Sequence, residues 1–229
     1  MKKKILILSP VMLLLSFISA IAQHSTIIKG GVNFANVSVN DNGSVDNAKV
    51  LTSFQIGITG DIRLAPILYL QPGILFTGKG SKTQSGDQGS ATWYRATSNP
   101  YYVELPVNLV FKTPGPVKFF AGAGPYIAMG VGGKNKTNGS FLGAEFSSEE
   151  NIKWSDDDPT TLDYEEGAGF GIMKRFDYGL NGTIGIEAAN LVLSANYGLG
   201  LAKLQSGSNS SSDNNNKHRV FSLTVGFRL

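Results

Sequence analysis

Charged side chains spaced at alternate positions in otherwise apolar segments are the first residues here that could do chemistry. Lys29, Arg63, Lys118 and Arg228 are basic, Asp61, Glu104 and Glu187 are acidic, and each falls on the polar side of a two-residue alternation. Such groups either pair into a buried ionic network or line a narrow conducting path or small-molecule pocket. Their near balance of sign is what pairing requires, so an interior charge network is expected. A second set lies between about residues 134 and 172, where Glu145, Glu149, Glu150, Asp156, Asp157, Asp158, Asp163, Glu165 and Glu166 face only Lys134, Lys136 and Lys153, a net of −6. Asp156-Asp157-Asp158 offers the clustered carboxylates that Ca²⁺ prefers but lacks the spaced D-x-D-x-D-G order. A solvated charge run without metal is expected instead. Catalysis finds little to work with. The two histidines are His24 and His218. A nucleophile–His–acid set built from His218, a loop Ser and Asp213 would need order in the low-complexity run Ser208–Asn216. Gly167-Ala168-Gly169-Phe170-Gly171 is not framed by a strand and helix, so it is no phosphate loop. No enzyme activity and no cofactor is expected.

The elements that position these charges begin after an export signal. Lys2, Lys3 and Lys4 precede an apolar run from Ile5 to Ile18, and Ala20-Ile21-Ala22 has the small-x-small pattern of a signal-peptidase site. Residues 1–22 are therefore expected to be cleaved, leaving residues 23–229 as one domain. Losing three lysines leaves 17 Lys+Arg against 17 Asp+Glu, so the basic pI belongs to the leader and no nucleic-acid footprint remains. With no Cys there is no lipoprotein acylation site, disulfide or thiolate metal site.

No apolar stretch of spanning-helix length follows the leader, so any membrane crossing must use strands. Alternation recurs eight times, over about residues 25–39, 50–64, 66–80, 95–112, 116–133, 173–189, 190–204 and 217–229. Phe54, Ile56, Ile58, Ile62 and Leu64 share one face of the second segment, opposite Gln55, Thr59, Asp61 and Arg63. In the fourth, Tyr101, Val103, Leu105, Val107, Leu109 and Phe111 oppose Tyr102, Glu104, Asn108 and Lys112. In the last, Phe221, Leu223, Val225, Phe227 and Leu229 oppose Ser222, Thr224, Gly226 and Arg228. A soluble barrel would put the apolar face inside. Here the other face carries Gly, Asn, Thr and charge, and that inversion places lipid outside. Connections two, four and six are tight, at Leu64-Ala65-Pro66, Thr113-Pro114-Gly115-Pro116 and Ala189-Asn190, whereas the odd-numbered ones are long and polar. The expected fold is all-β, an eight-stranded antiparallel up-and-down transmembrane β-barrel with short periplasmic turns and long external loops. Eight strands leave room only for side chains, with Tyr69, Tyr102 and Tyr126 filling space beside interior glycines. Phe34, Phe76, Trp93 and Tyr178 near one rim, and Phe111, Phe119 and Phe227 near the other, predict two aromatic belts.

Several stretches resemble the PorT-like outer-membrane β-barrel family. They are Lys29-Gly30-Gly31-Val32-Asn33-Phe34, Tyr102-Val103-Glu104-Leu105-Pro106, Gly122-Ala123-Gly124-Pro125-Tyr126-Ile127, Arg175-Phe176-Asp177-Tyr178-Gly179-Leu180-Asn181 and Asn196-Tyr197-Gly198-Leu199. The ordered series spans essentially the whole mature chain and implies an eight-stranded outer-membrane barrel, with little said about activity. Barrels of this kind often end in Phe, which the barrel-assembly machinery reads, whereas this chain ends Phe227-Arg228-Leu229. The expected function is structural or interactional, with external loops meeting the environment, lipopolysaccharide or a partner protein and the wall meeting membrane lipid. A small passive channel and, further off, a lipid-modifying enzyme are the alternatives. The acidic segment is expected to be an exposed, mobile loop, although Phe141, Phe146, Trp154 and Leu162 supply enough apolar surface for a short extra hairpin.

Overall fold

The structure, a computed structural model, describes residues 25–38, 48–154, 172–204 and 217–229. The expected leader, residues 1–22, lies outside them. The alternating segments form eight long strands: β1 (Ser25–Ser38), β2 (Leu51–Ala65), β3 (Leu68–Gly78), β4 (Trp93–Lys112), β5 (Val117–Phe141), β6 (Phe176–Ala188), β7 (Leu191–Gly200) and β8 (Lys217–Arg228). Each pairs antiparallel with the next, and β8 pairs with β1, with Phe34 opposite Phe221, so the pairings run in a closed circuit. A circuit of this kind leaves these strands no free edge within the ring.

Turn chemistry closes one end tightly. Gly115 holds φ 121° in the β4–β5 turn, a conformation natural to glycine, and Ala189 holds φ 50° in the two-residue β6–β7 turn. The face assignment is the inverted one. Phe54, Ile56, Phe111, Ile127, Ile184 and Val225 are exposed on the outside, whereas Gln55, Thr59, Asn108, Thr183, Ser222 and Thr224 between them are buried. Outward rings gather near one rim, where Phe34 stacks on Phe221 at 6.3 Å and Phe76 on Tyr101 at 5.5 Å. Trp93 departs from the expected belt. It pairs with Ser140, well past the rim, because β4 and β5 continue beyond the ring.

That continuation is the main difference from the expected strand bounds. β4 begins at Trp93 and β5 ends at Phe141, where the ring neighbour β3 has already stopped at Gly78 and β6 starts only at Phe176 opposite Met129. The eight residues from Trp93 to Pro100 add about 26 Å of strand. Flanking strands widen the projection: Ser81–Ser85 pairs with β4 and Ala144–Asn151 with β5. Glu149 and Glu150 therefore sit in a β-hairpin, not in a mobile loop, because Leu142-Gly143 (φ 50° and 85°) makes a two-residue turn that lets the chain fold back in register. Asp156, Asp157 and Asp158 lie outside the described residues.

Candidate functional site in the ring interior

At the short-turn end, four charged side chains from alternate strands meet across the lumen. Asp61 comes from β2, Lys112 from β4, Glu187 from β6 and Arg228 from β8. All four strands run toward this end and carry the charge within their last few residues. Sign alternates around the set, and every neighbour is a partner. Lys112 Nζ bonds Asp61 Oδ2 and lies 3.0 Å from Glu187 Oε2. Arg228 Nη2 bonds Glu187 and lies 2.6 Å from Asp61 Oδ2. Gln71 Nε2 donates to the second Asp61 oxygen at 2.8 Å, and Arg228 also donates to Ser25 Oγ at the start of β1. Lys118, partly exposed, reaches Glu187 Oε1 at 3.3 Å. Of the expected network, Arg63 is the exception. It is exposed, and its guanidinium bonds the Ala65 and Pro66 carbonyls of its own turn. Arg63 still pairs in register with Tyr69, but the register shifts directly after it, where the strand runs into its turn and the turn carbonyls are within reach.

Nearer the other end a second cluster centres on Lys79. Its ammonium lies 2.6 Å from Glu104 Oε2 and 2.9 Å from Asp177 Oδ2, and 3.9 Å above the Tyr126 ring centroid. Tyr126 Oη donates to Asp177 at 3.0 Å, and Asn181 Nδ2 donates to Glu104 at 2.8 Å. Above it, His218 Nε2 and Tyr102 Oη are 3.2 Å apart, both side chains essentially fully buried. Interior glycine makes the packing possible: a Cβ on Gly179 would stand 2.7 Å from the Tyr126 ring. Lys29 lines the space between the two clusters. That space comprises pockets of about 40 and 10 Å³, room for a water or two rather than a path.

Three members of these clusters are absent from the expected charge network, although the fourth segment already sets Lys112 on its polar face. Lys112 had a legible signal, since it sits on the inward phase of β4. Asp177 also had one, inside the Arg175–Asn181 stretch. Lys79 had one as well, since it shares the inward phase of Tyr69, Gln71 and Thr77 within the expected segment 66–80. Its N–H donates to the Pro100 carbonyl at 3.0 Å, in the register that pairs Gly78 with Tyr101 and Ser81 with Ser98.

A cap of apolar residues closes the same end. Ile152, Met173 and Leu204 are buried together with Val37 and Trp154 packed against them. Trp154 meets the Tyr102 ring edge-on, with centroids 5.5 Å apart, and covers Gly130 so closely that a Cβ there would lie 2.3 Å from its ring. A mobile loop was expected here, but Trp154 is anchored, because Lys153–Trp154 pairs in parallel with Ile172–Met173. On the projecting hairpin, Lys134 bonds Glu149 and holds its carboxyl below the usual carboxylate range.

The outer membrane protein beta-barrel domain family matches residues 22–206. This chain belongs to that family, and it is a bacterial outer-membrane protein. No curated protein sequence matches it. Among solved structures, the barrel is similar to Ail, the attachment invasion locus protein of Yersinia pestis, at 15% identity over 90% of this chain and 99% of that one, TM-score 0.41. It is also similar to OprG of Pseudomonas aeruginosa, at 13% identity over 90% and 96%, TM-score 0.43. Neisserial surface protein A matches at 16% identity over 89% and 96%, TM-score 0.39. Inside the barrel, stretches far apart in sequence converge. Lys29, Glu104, Pro106, Tyr126, Asn181 and Asn196 come from five different strands and line one small space beside Lys79.

Proposed function

We propose that the chain is a non-catalytic transmembrane anchor that crosses the outer membrane with its tight turns in the periplasm and presents the β4–β5 projection outside for interaction. Residues 1–22 act as the cleaved export signal and residues 23–229 as the barrel domain. The narrower PorT-like kinship belongs to the same reading, as do contacts of the wall with membrane lipid and lipopolysaccharide and of the nascent chain with the barrel-assembly machinery.

The observation that carries this reading is the pairing of a filled lumen with a rigid external sheet. Two ionic clusters and an aromatic cap occupy the interior, so the wall's stability serves to hold something outside it. Buried charges of this kind contribute chiefly by being mutually satisfied, since removing one partner leaves another ion uncompensated. A channel would need a continuous polar path, and the spaces beside Lys29 are of water size. A hydrolase built on His218 would need that imidazole to reach substrate, whereas it is enclosed between Tyr102 and the lumen wall.

Single cysteines test the orientation cleanly, because the chain has none of its own. On intact cells, Glu145→Cys in the projection reacts with a membrane-impermeant maleimide, whereas Pro114→Cys in the β4–β5 turn reacts only after the outer membrane is opened. Purified protein in planar bilayers shows no conductance above background. The reverse labelling pattern, or steady conductance, overturns the proposal.

A further inference from the structure

The outward face of β6, β7 and β8 combines an apolar trough with a strip of cations above it. Cross-strand rows define the trough. Ala195 lies between Ile184 and Leu223, and the next row toward the short-turn end is Ile186, Leu193 and Val225. A small side chain between two large ones leaves a groove of about 610 Å³, walled also by Phe119. Toward the long-connection end, the same outward phase carries Tyr197 beside Phe221, then Arg219, Lys217 and Lys203. Arg219 Nη1 is fixed by the Gly200 and His218 carbonyls, each at 2.9 Å. Among the described residues from 172 to 204 and 217 to 229 the acids are Asp177 and Glu187, and both point inward into the clusters above.

We infer that this face binds a phosphorylated glycolipid of the outer leaflet, with one acyl chain in the Ala195 trough and anionic headgroup groups on Arg219, Lys217 and Lys203. The inference rests on the membrane-spanning reading and deepens it. Dimensions agree with one leaflet. Leu223 to Arg219 and Lys217 is four to six residues, about 13–20 Å along the strand and about 9–14 Å along the membrane normal at a tilt of roughly 45°. The upper end approaches half of a hydrocarbon core of about 30 Å. The rings of Tyr197 and Phe221 sit between trough and cations, at the level where aromatic side chains favour the interface. Two cations on β8 and a third just past the end of β7 suit a headgroup bearing more than one phosphate, and each adds attraction to an anionic lipid surface.

Native mass spectrometry of the delipidated full-length mature protein in mild detergent tests this. The probes are bisphosphorylated lipid A, phosphatidylglycerol and phosphatidylcholine at equal concentration. The expected result is selective retention of lipid A. Retention falls about a hundredfold in Lys203→Gln/Lys217→Gln/Arg219→Gln, on an increment of about fivefold per cation. Because Arg219 also ties backbone carbonyls, the double variant Lys203→Gln/Lys217→Gln is run alongside, with a loss of about tenfold or more. Ala195→Phe fills the trough and lowers retention while leaving the cations in place. Equal retention of the three lipids, unchanged retention in the charge variants, or a lipid-free dimer overturns the site. Heat-modifiable migration is read on the same samples. A protein that needs no detergent and migrates identically with and without boiling overturns the membrane reading itself, whereas a heat-modifiable barrel without selectivity overturns only the lipid site.

Discussion

Arg228, on the last strand, donates Nη2 to Asp61 Oδ2 on the second at 2.6 Å, although 167 residues separate them in the chain. This contact belongs to a ring in which each ion touches two of opposite sign, and β8 contributes one of its two cations. The ring is therefore complete only when the last strand has joined.

Replacing Arg228 with Met leaves Asp61 and Glu187 sharing Lys112 as their buried cation. The expected loss is about 3–5 kcal/mol, the cost of stranding a buried ion, seen as a lower temperature for the shift in heat-modifiable migration. Arg63→Met, which removes an exposed guanidinium outside the network, stays within about 0.5 kcal/mol. Equal effects of the two would mean that the cross-lumen ring contributes nothing.

Lys79 offers a cycle rather than a single change. Lys79→Met strands Glu104 and Asp177 and destabilises by about 3–5 kcal/mol. Adding Asp177→Asn removes one of the stranded charges, so the double variant is more stable than Lys79→Met alone. Thermal midpoints of the four proteins give the coupling. Strictly additive losses would separate Lys79 from Asp177 energetically.

Leu105→Arg puts a charge on the outward face of β4 opposite Ile127. At mid-membrane depth that costs about 2–4 kcal/mol, read from denaturant unfolding in lipid vesicles. Phe146→Arg, on the projection beyond the rim, leaves the midpoint within about 0.5 kcal/mol. A tolerated Leu105→Arg would place lipid elsewhere.

Trp154 and Trp93 are the two tryptophans, so Trp93→Phe makes Trp154 a lone reporter. Packed against the buried cap and Tyr102, it is expected to emit at blue-shifted wavelengths and to be poorly quenched by acrylamide. Gly130→Val then sets side-chain atoms where the indole lies, since even a Cβ there is 2.3 Å from its ring. Red-shifted, readily quenched emission is the expected outcome. An unchanged spectrum would put Trp154 outside the lumen.

The strand set and its two faces were legible in residues such as Phe221 to Leu229, because a two-residue period is a local property that the pleat converts directly into inside and outside. Asp61, Glu187 and Arg228 were likewise recognisable as inward, and the balance of charge implied that they pair. What no local pattern contains is which charge meets which. That depends on ring closure and on the stagger between strands. The missed length of β5 has a related cause. Residues 134–140 are polar on both faces, so no alternation marks them as strand. Only their pairing with residues 93–99 shows that the ladder continues. Trp154 seats against Tyr102 across a long chain separation, and Lys79 meets Glu104 and Asp177 because β3, β4 and β6 face one lumen. The sequence by itself determined a barrel wall and the side that most of its residues face, Arg63 at a strand end excepted. Tertiary structure decided the partners within it, because those partners come from strands that only closure brings together.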